Sequence, residues 1–384
     1  MKNILLLVWR DLVNTTDFGG SEVYSDKIAT GLKEQGYNVT IFSSRGKNQK
    51  ANEILDGIKY IRRGSRYTVY FWAAIYYLLS LRKTIDFIID VENGIPFFSP
   101  LYSKKPKVIL VHHFHNGQWF KEFPFPIAVV GYYIERILMP FVYRNTKFIT
   151  VSNSSKLDLE YLGIEPKHIE IGYNGTSFEN VKRPNKKVLY KDPTILYLGR
   201  LREYKRIDLA VKAVKELKAS IPNIKLIIAG KGDDEDRLKS IAKDLGISKN
   251  VEFKGFISEE EKSELLTKSW VYVNPSSKEG WGIVNIEANY YGTPVVGFNV
   301  FGVRDSVKHG YSGYLAENFE DFVNKLNVVL SKKGKTPLAL TFRNNCTEWA
   351  DRFNWSDTVE VFNKQIRKQL KIRTKVKKEV FVEA

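Results

Sequence analysis

Two glutamates, Glu279 and Glu287, stand in KEGWGIVNIEANYYGTPVV (residues 278–296), between a Gly-Trp-Gly turn and a Gly-Thr-Pro turn. If this stretch begins as a loop and continues as a helix, Glu279 precedes the helix and Glu287 lies about two turns further on. Both carboxylates then face one cleft, and Gly280 and Gly282 let a ligand approach the backbone closely. Such a pair can work as acid and base, as in glycosidases. It can equally hold two sets of sugar hydroxyls, one on a ribose and one on a hexose, without titrating. Solvated glutamates on a helix surface are the plainer reading, and the surrounding glycines weigh against it.

Three further stretches carry residue types suited to chemistry. In GRLREYK (residues 199–205), directly after the apolar run TILYL, Arg200 and Lys205 project from a turn. A guanidinium fork and an ammonium together can neutralise a diphosphate, although surface charge is the usual fate of both. In VILVHHFHNGQW (residues 108–119), His112, His113 and His115 cluster at a strand end, three of the chain's five histidines. Zinc is one reading. No HExxH pattern accompanies them, so we read them as neutral hydrogen-bond partners for a hydroxyl and expect no metal site. In DFGGSEV (residues 17–23), Gly19 and Gly20 stand ahead of a helix start, where free amides suit a phosphate or a sugar hydroxyl; a tight strand-to-helix turn needs the same residues.

The elements that must position these residues repeat as strand, glycine-marked turn, helix. NILLLV, EVYSDKIATGLKEQG and NVTIFSS make one βαβ unit, with Ser21 as the expected N-cap and Gly36 as the C-cap. DFIIDV, KVILVHH and KFITVS continue it. TILYLGR opens a second series after the lysine-rich stretch VKRPNKKVLYKDP. Short apolar runs alternating with amphipathic helices predict parallel sheets covered on both faces, hence two doubly wound α/β domains with ligands at the carboxyl ends of their strands. We expect an N-terminal domain over 1–185, a C-terminal domain over 186–352, and a last segment, 353–384, packing back toward the first domain and ending in a basic tail.

Composition sets outer bounds. The chain has 384 residues, 43% of them hydrophobic and 27% charged, which suits two globular cores and excludes a disordered chain. A single cysteine excludes an internal disulfide and predicts a reducing, cytoplasmic setting. ILLLV is too short for a membrane span or a signal-peptide core. A net charge of +17 attracts polyanions, nucleic acid and anionic lipid alike. Residues 67–83 and 120–144 are aromatic and apolar with basic flanks, and 364–378 is a basic run. They predict either core helices or a first domain resting on an anionic membrane.

In this order, the four sites make the chain similar to the retaining family 4 glycosyltransferases of the GT-B fold. The resemblance runs from the GGSE loop to GVRDSVKHGYSGYL, and its most specific parts are Glu279-x7-Glu287 and Gly199-Arg200-x4-Lys205. It implies two doubly wound Rossmann-like domains facing a cleft. It also implies a donor site in which Arg200 and Lys205 grip the diphosphate, Glu279 lies near the sugar hydroxyls and Glu287 holds the ribose. Gly19, Gly20, Gly280, Gly282 and Ile283 complete that site. His112 fits the family's histidine near the transferred sugar, with His113 and His115 competing. Phe301 replaces a family glycine and Asp305 a family glutamate, which touches sugar preference more than reaction.

The resemblance implies retaining transfer of a sugar from a nucleotide-diphosphate sugar, with fixed cations doing the work of a metal and no cofactor. The expected acceptor is a glycan or a lipid-linked precursor at the inner face of the cell membrane. A soluble acceptor, as for a disaccharide synthase, phosphorylase or epimerase, is the near alternative. Nucleic-acid binding is the distant one, because it leaves the glutamate spacing unexplained, and we expect none.

Overall fold

The structure, a computed structural model, describes residues 1–14, 19–115, 119–122, 124–176, 183, 188–331 and 337–371. Asp17 and Phe18 of the glycine stretch, residues 116–118 of the histidine stretch, most of 181–187 and the tail from 372 lie outside the described residues.

The chain divides into two units, Met1–Thr150 with Lys156–Gly172 and Ser356–Ala384, and Val151–Ser155 with Tyr173–Trp355. The sequence reading set its boundaries at 185/186 and 352/353. Both units are Rossmann-like α/β domains built on parallel sheets.

The first sheet contains β1 (Asn3–Leu7), β2 (Asn38–Ser43), β3 (Asn52–Leu55), β4 (Ile58–Arg62), β5 (Phe87–Glu92), β6 (Lys107–Val111), β7 (Lys147–Thr150) and β8 (Ile169–Ile171). Their order is β3-β4-β2-β1-β5-β6-β7-β8. All pairs are parallel except β3–β4, a hairpin closed by Asp56 and Gly57 with φ of 47° and 77°. Positive φ at both central residues is the signature of a two-residue hairpin turn, and Asp-Gly supplies it cheaply. Ile4, Leu5, Phe87, Ile88, Val108 and Ile109 are wholly buried, as strands covered on both faces require.

The helix Gly20–Glu34 starts ahead of Ser21, with Gly19 at the N-cap. The reason is Glu22, whose carboxylate reaches back to accept the Gly19 N–H at 2.7 Å and so performs the capping expected of Ser21. Gly36, at φ 86°, follows the helix end and supplies the left-handed residue that stops it. The helix Trp355–Gln369 returns to this first unit: Asn363 accepts from the Tyr37 hydroxyl at 2.8 Å, and Gln365 donates to Glu170 at 2.6 Å.

The loop after β1 is pinned from a distance. Arg62, fully buried in β4, donates to Asp11 at 2.7 Å and also pairs with Glu53, while Ser43 donates to Asp11 at 2.5 Å. A buried guanidinium survives only when its donors are matched by carboxylates, so breaking this cluster would leave an uncompensated charge.

The second sheet contains β9 (Thr194–Leu198), β10 (Lys225–Ala229), β11 (Val251–Gly255), β12 (Val271–Asn274), β13 (Val295–Phe298) and β14 (Gly313–Ala316). Its order is β11-β10-β9-β12-β13-β14, parallel throughout. One face packs Ile195, Leu226, Ile228, Val271 and Val273 against Ile207, Val211 and Val214 of the helix Ile207–Leu217. Cys346 is buried, its thiol 3.3 Å from the Ser312 carbonyl oxygen.

Candidate active site

In an open parallel sheet, the crevice for a ligand opens at the carboxyl ends of the two strands where the order reverses. In the second unit those strands are β9 and β12. The loop after β9 carries Arg200 and Lys205; the loop after β12 carries Ser276 through Gly282. Topology therefore brings together stretches some 75 residues apart in sequence.

The contact between them is an ion pair. Lys205 closes the short turn Glu203–Lys205, and its ammonium lies 2.5 Å from Glu279 Oε1, to which Ser276 Oγ also donates at 2.8 Å. Burial works against the charged Lys205, but the Glu279 carboxylate beside it outweighs burial and raises its pKa, so the ammonium is held in place. Arg200 is exposed next to this pair along the loop.

Glu279 precedes the helix Ile283–Tyr290, and Glu287 lies within it. The helix begins at Gly282, whose φ of 82° a side chain would strain, and a Cβ there would also meet the Asn285 amide at 2.6 Å. Trp281 anchors the turn: it is buried, with ring centroids 5.0 Å from both Tyr173 and Phe353. Gly280 and Ile283 flank this turn, both half-buried. Gly302 has φ of 80°, and a Cβ there would fall 2.3 Å from the Glu279 carbonyl oxygen. The Glu279 N–H donates to the Phe301 carbonyl at 3.0 Å. Thus the loop after β13 is clamped onto the Glu279 loop. Asp305 accepts from the backbone N–H groups of Gly302 and Ser154, at 3.2 and 3.3 Å.

Glu287 is buried and accepts from Lys262 at 2.8 Å, while its second oxygen, Oε2, has no hydrogen-bond partner. Burial again opposes the Lys262 charge, and Glu287 and Glu259 overcome it. A wholly buried carboxylate oxygen left without a donor is costly. Sequence reasoning missed Lys262, which lies on a different helix, and Ser276.

The first unit places its residues at the carboxyl ends of β1, β5 and β6. Gly19 caps its helix, and a side chain at Gly20 would meet nothing within 4 Å. His112 follows β6 directly and packs edge-on against Tyr24 with centroids 5.2 Å apart. Burial pushes its pKa down to about 4, against a smaller upward pull from Glu22, so the ring is neutral at physiological pH. His113 and His115 lie side by side, 5.0 Å between centroids. The His115 N–H and the Trp119 indole both donate to Glu135, at 2.6 and 3.2 Å. Arg10 donates to Glu22 at 2.8 Å. Arg10, Glu22 and Glu135 were not read from the sequence; only Glu22, three residues beyond a cap, carried a local signal. No group of three His, Cys, Asp or Glu side chains among the described residues is arranged for a metal ion.

Two family models tile the chain on either side of residue 180: Glycosyltransferase Family 4 matches residues 18–180, and Glycosyl transferases group 1 matches 179–349, including Arg200, Lys205, Glu279 and Glu287. Between them the two models span 18–349, so the chain is similar to glycosyltransferases through both of its units. An uncharacterized glycosyltransferase of Haemophilus influenzae is 29% identical over 332 residues, 83% of this chain and 89% of its own. Among solved structures, a sucrose-phosphate synthase of Thermosynechococcus elongatus superposes with a TM-score of 0.79 at 18% identity, over 97% of this chain and 100% of the other. HepE of Anabaena in complex with UDP-glucose gives 0.73 at 17%, over 97% and 100%. The chain thus has the GT-B fold of these neighbours, two Rossmann-like domains with parallel sheets.

Proposed function

We propose that this glycosyltransferase moves a sugar from a nucleotide-diphosphate sugar, with retention at the anomeric carbon, to an acceptor held at an anionic membrane surface in the cytoplasm. The observation that carries the donor half is the meeting of Lys205 and Glu279 at the strand-order reversal, with Arg200 on the same loop. Cleaving the bond between an anomeric carbon and a diphosphate builds negative charge on the leaving oxygen. Arg200 and Lys205 stabilise that charge in position, which is the largest catalytic effect on offer and makes a divalent metal unnecessary. Glu279 takes the sugar hydroxyls, and the unpartnered oxygen of Glu287 takes a ribose hydroxyl. The acceptor oxygen attacks from the face the phosphate leaves, and the departing phosphate oxygen takes its proton. His112, neutral, orients a hydroxyl. The neighbour solved with UDP-glucose supports a nucleotide sugar as donor.

The acceptor half rests on the helical stretch Phe125–Tyr143, the one apolar helix among the described residues long enough to cross a bilayer. Its inward line is Ala128, Gly131, Glu135, Met139 and Tyr143; its outward line includes Phe125, 74% exposed, with Ile127, Val130, Ile137 and Phe141. Glu135 is held by the first unit, and a Cβ at Gly131 would fall 2.5 Å from Trp119. A helix fastened along one side lies on a membrane rather than through it. The exposed Phe71, Trp72 and Leu79 belong to the helical stretch between β4 and β5. The chain moves the same way along the sheet from β4 to β5 as from β6 to β7, so right-handed crossovers bring both stretches to one face. Arg82, Lys83, Arg136 and Arg144 accompany them, matching anionic headgroups.

A panel of UDP-, GDP- and ADP-sugars tests the donor. Turnover of at least one with an α-configured product from an α-linked donor is expected, and an inverted product would refute retention. Flotation with anionic vesicles tests the surface; failure to bind at low salt removes it. A soluble sugar acceptor is the second reading, favoured by the likeness to a sucrose-phosphate synthase.

A further inference from the structure

A series of buried amides and hydroxyls runs beneath the two clamped loops, and both of its ends come to Glu279. The Ser276 N–H donates to Asn274 Oδ1 at 3.3 Å, and Asn274 Nδ2 donates to Asn285 Oδ1 at 3.1 Å. Asn285 Nδ2 donates in turn to Ser306 Oγ at 2.8 Å, and that hydroxyl donates to the Gly302 carbonyl at 3.1 Å. Asn274, Ser276, Asn285 and Ser306 are all buried. At the first end, Ser276 Oγ donates to the Glu279 carboxylate; at the other, Phe301, the residue before Gly302, accepts the Glu279 N–H. Every donor in the series points the same way, so the bonds reinforce one another and one altered side chain interrupts the run. Gly282 is shaped by the same two amides: a Cβ there would fall 2.6 Å from Asn285 Nδ2 and 3.2 Å from Asn274 Nδ2. None of the four side chains carries a charge, and apolar ones would fill this space with no polar group to satisfy. What the polar series adds is direction. It holds the loop after β12, the start of the helix Ile283–Tyr290 and the loop after β13 in one arrangement.

We infer that Asn285 is a positioning residue for the donor sugar, which through Asn274 and Ser306 sets where the Glu279 carboxylate stands. Asn285 is wholly buried, so it acts through the loops it joins rather than on a substrate atom. The inference rests on the proposed role of Glu279 toward the sugar hydroxyls.

Two measurements test it together. Asn285→Ala removes both amide bonds, and Ser306→Ala removes only the far one. Amide exchange over residues 276–282 of the ligand-free protein is expected to speed up about tenfold in Asn285→Ala, and less in Ser306→Ala, while β9 and β10 keep wild-type rates. Calorimetry then compares the best-bound member of a UDP-, GDP- and ADP-sugar panel with its free nucleotide diphosphate. The sugar-bearing donor is expected to lose about tenfold in affinity relative to the free nucleotide, whose own affinity reports a folded unit. Unchanged exchange over 276–282, or exchange that rises equally throughout the second unit, overturns the inference. So does faster exchange with an unchanged affinity ratio, because the series then holds the loop without serving the sugar, and the donor reading stands. If Asn285→Ala does not fold, Ser306→Ala decides by the same two measurements. Wild-type protein that binds no nucleotide and no nucleotide sugar overturns the donor reading and the positioning role together.

Discussion

The carboxyl edges of the two sheets use the same residue, glutamate, in opposite ways. In the first unit Glu135 accepts from the His115 N–H and the Trp119 indole, Glu92 accepts from the Gly94 N–H at 2.6 Å, and Glu22 accepts from the Gly19 N–H as well as from Arg10. Those donors are fixed parts of the fold, so the acids serve as staples for the loops, and the nearby His112 is kept neutral. In the second unit Glu279 and Glu287 face ammonium groups, Lys205 and Lys262. A long, flexible lysine can exchange a carboxylate for a phosphate or share it with a hydroxyl. Acids tied to backbone give shape; acids tied to lysine give a site that a charged ligand can enter.

The sharpest way to break this contrast is to remove the cations of the second unit. Arg200→Ala with Lys205→Ala should lower kcat/KM by at least about 10³-fold while the melting temperature hardly moves; unchanged turnover would refute the donor assignment. Next comes pH. The folded pKa of His112, about 4, lies below its unfolded value near 6.5. The unfolded chain therefore binds the extra proton, and stability falls as pH drops from about 6.5 to 4, by up to about 3 kcal/mol. His112→Gln should flatten that part of a denaturation-against-pH curve. An unaltered curve would mean the ring titrates normally.

If the first unit's acids are staples, Glu135→Ala should cost about 2 kcal/mol in denaturant unfolding, since it strands the His115 amide and the Trp119 indole, yet leave donor affinity as it was. A large loss of donor affinity in a folded variant would erase the distinction between the two edges. The smallest effect concerns the outer surfaces. The helix Ile207–Leu217 of the second unit turns Lys212, Lys215 and Glu216 to solvent, whereas Phe125–Tyr143 turns out Ile127 and Phe141. Ile127→Glu with Phe141→Glu should weaken vesicle binding about tenfold without changing turnover of a soluble donor; equal flotation would separate membrane attachment from this helix.

Much of the fold was legible in the sequence because strand and helix periods alternate over most of the stretch from NILLLV to TPVVGF, and parallel sheets follow from that alternation; the antiparallel β3–β4 hairpin, which no helix separates from β2, breaks the pattern and was not read. The loop position of Glu279 and the helical position of Glu287 followed from the glycines between them. Partners supplied from afar were not legible. Nothing near Asp11 announces that Arg62, on a strand beyond the next one, will be buried against it. Lys262 lies on its own surface-like helix, EEEKSELLTK, and reads as a solvated charge until the sheet order brings it to Glu287. The N-cap moved from Ser21 to Gly19 for a similar reason: a glutamate side chain reached further than a serine.

The lone thiol of the chain gives the second unit a built-in clock. Cys346 is sealed beneath Ser312, so a thiol reagent reaches it only when that part of the molecule opens. The rate of its modification, followed with and without UDP, would time the breathing of the second unit directly, with no introduced probe and no competing thiol.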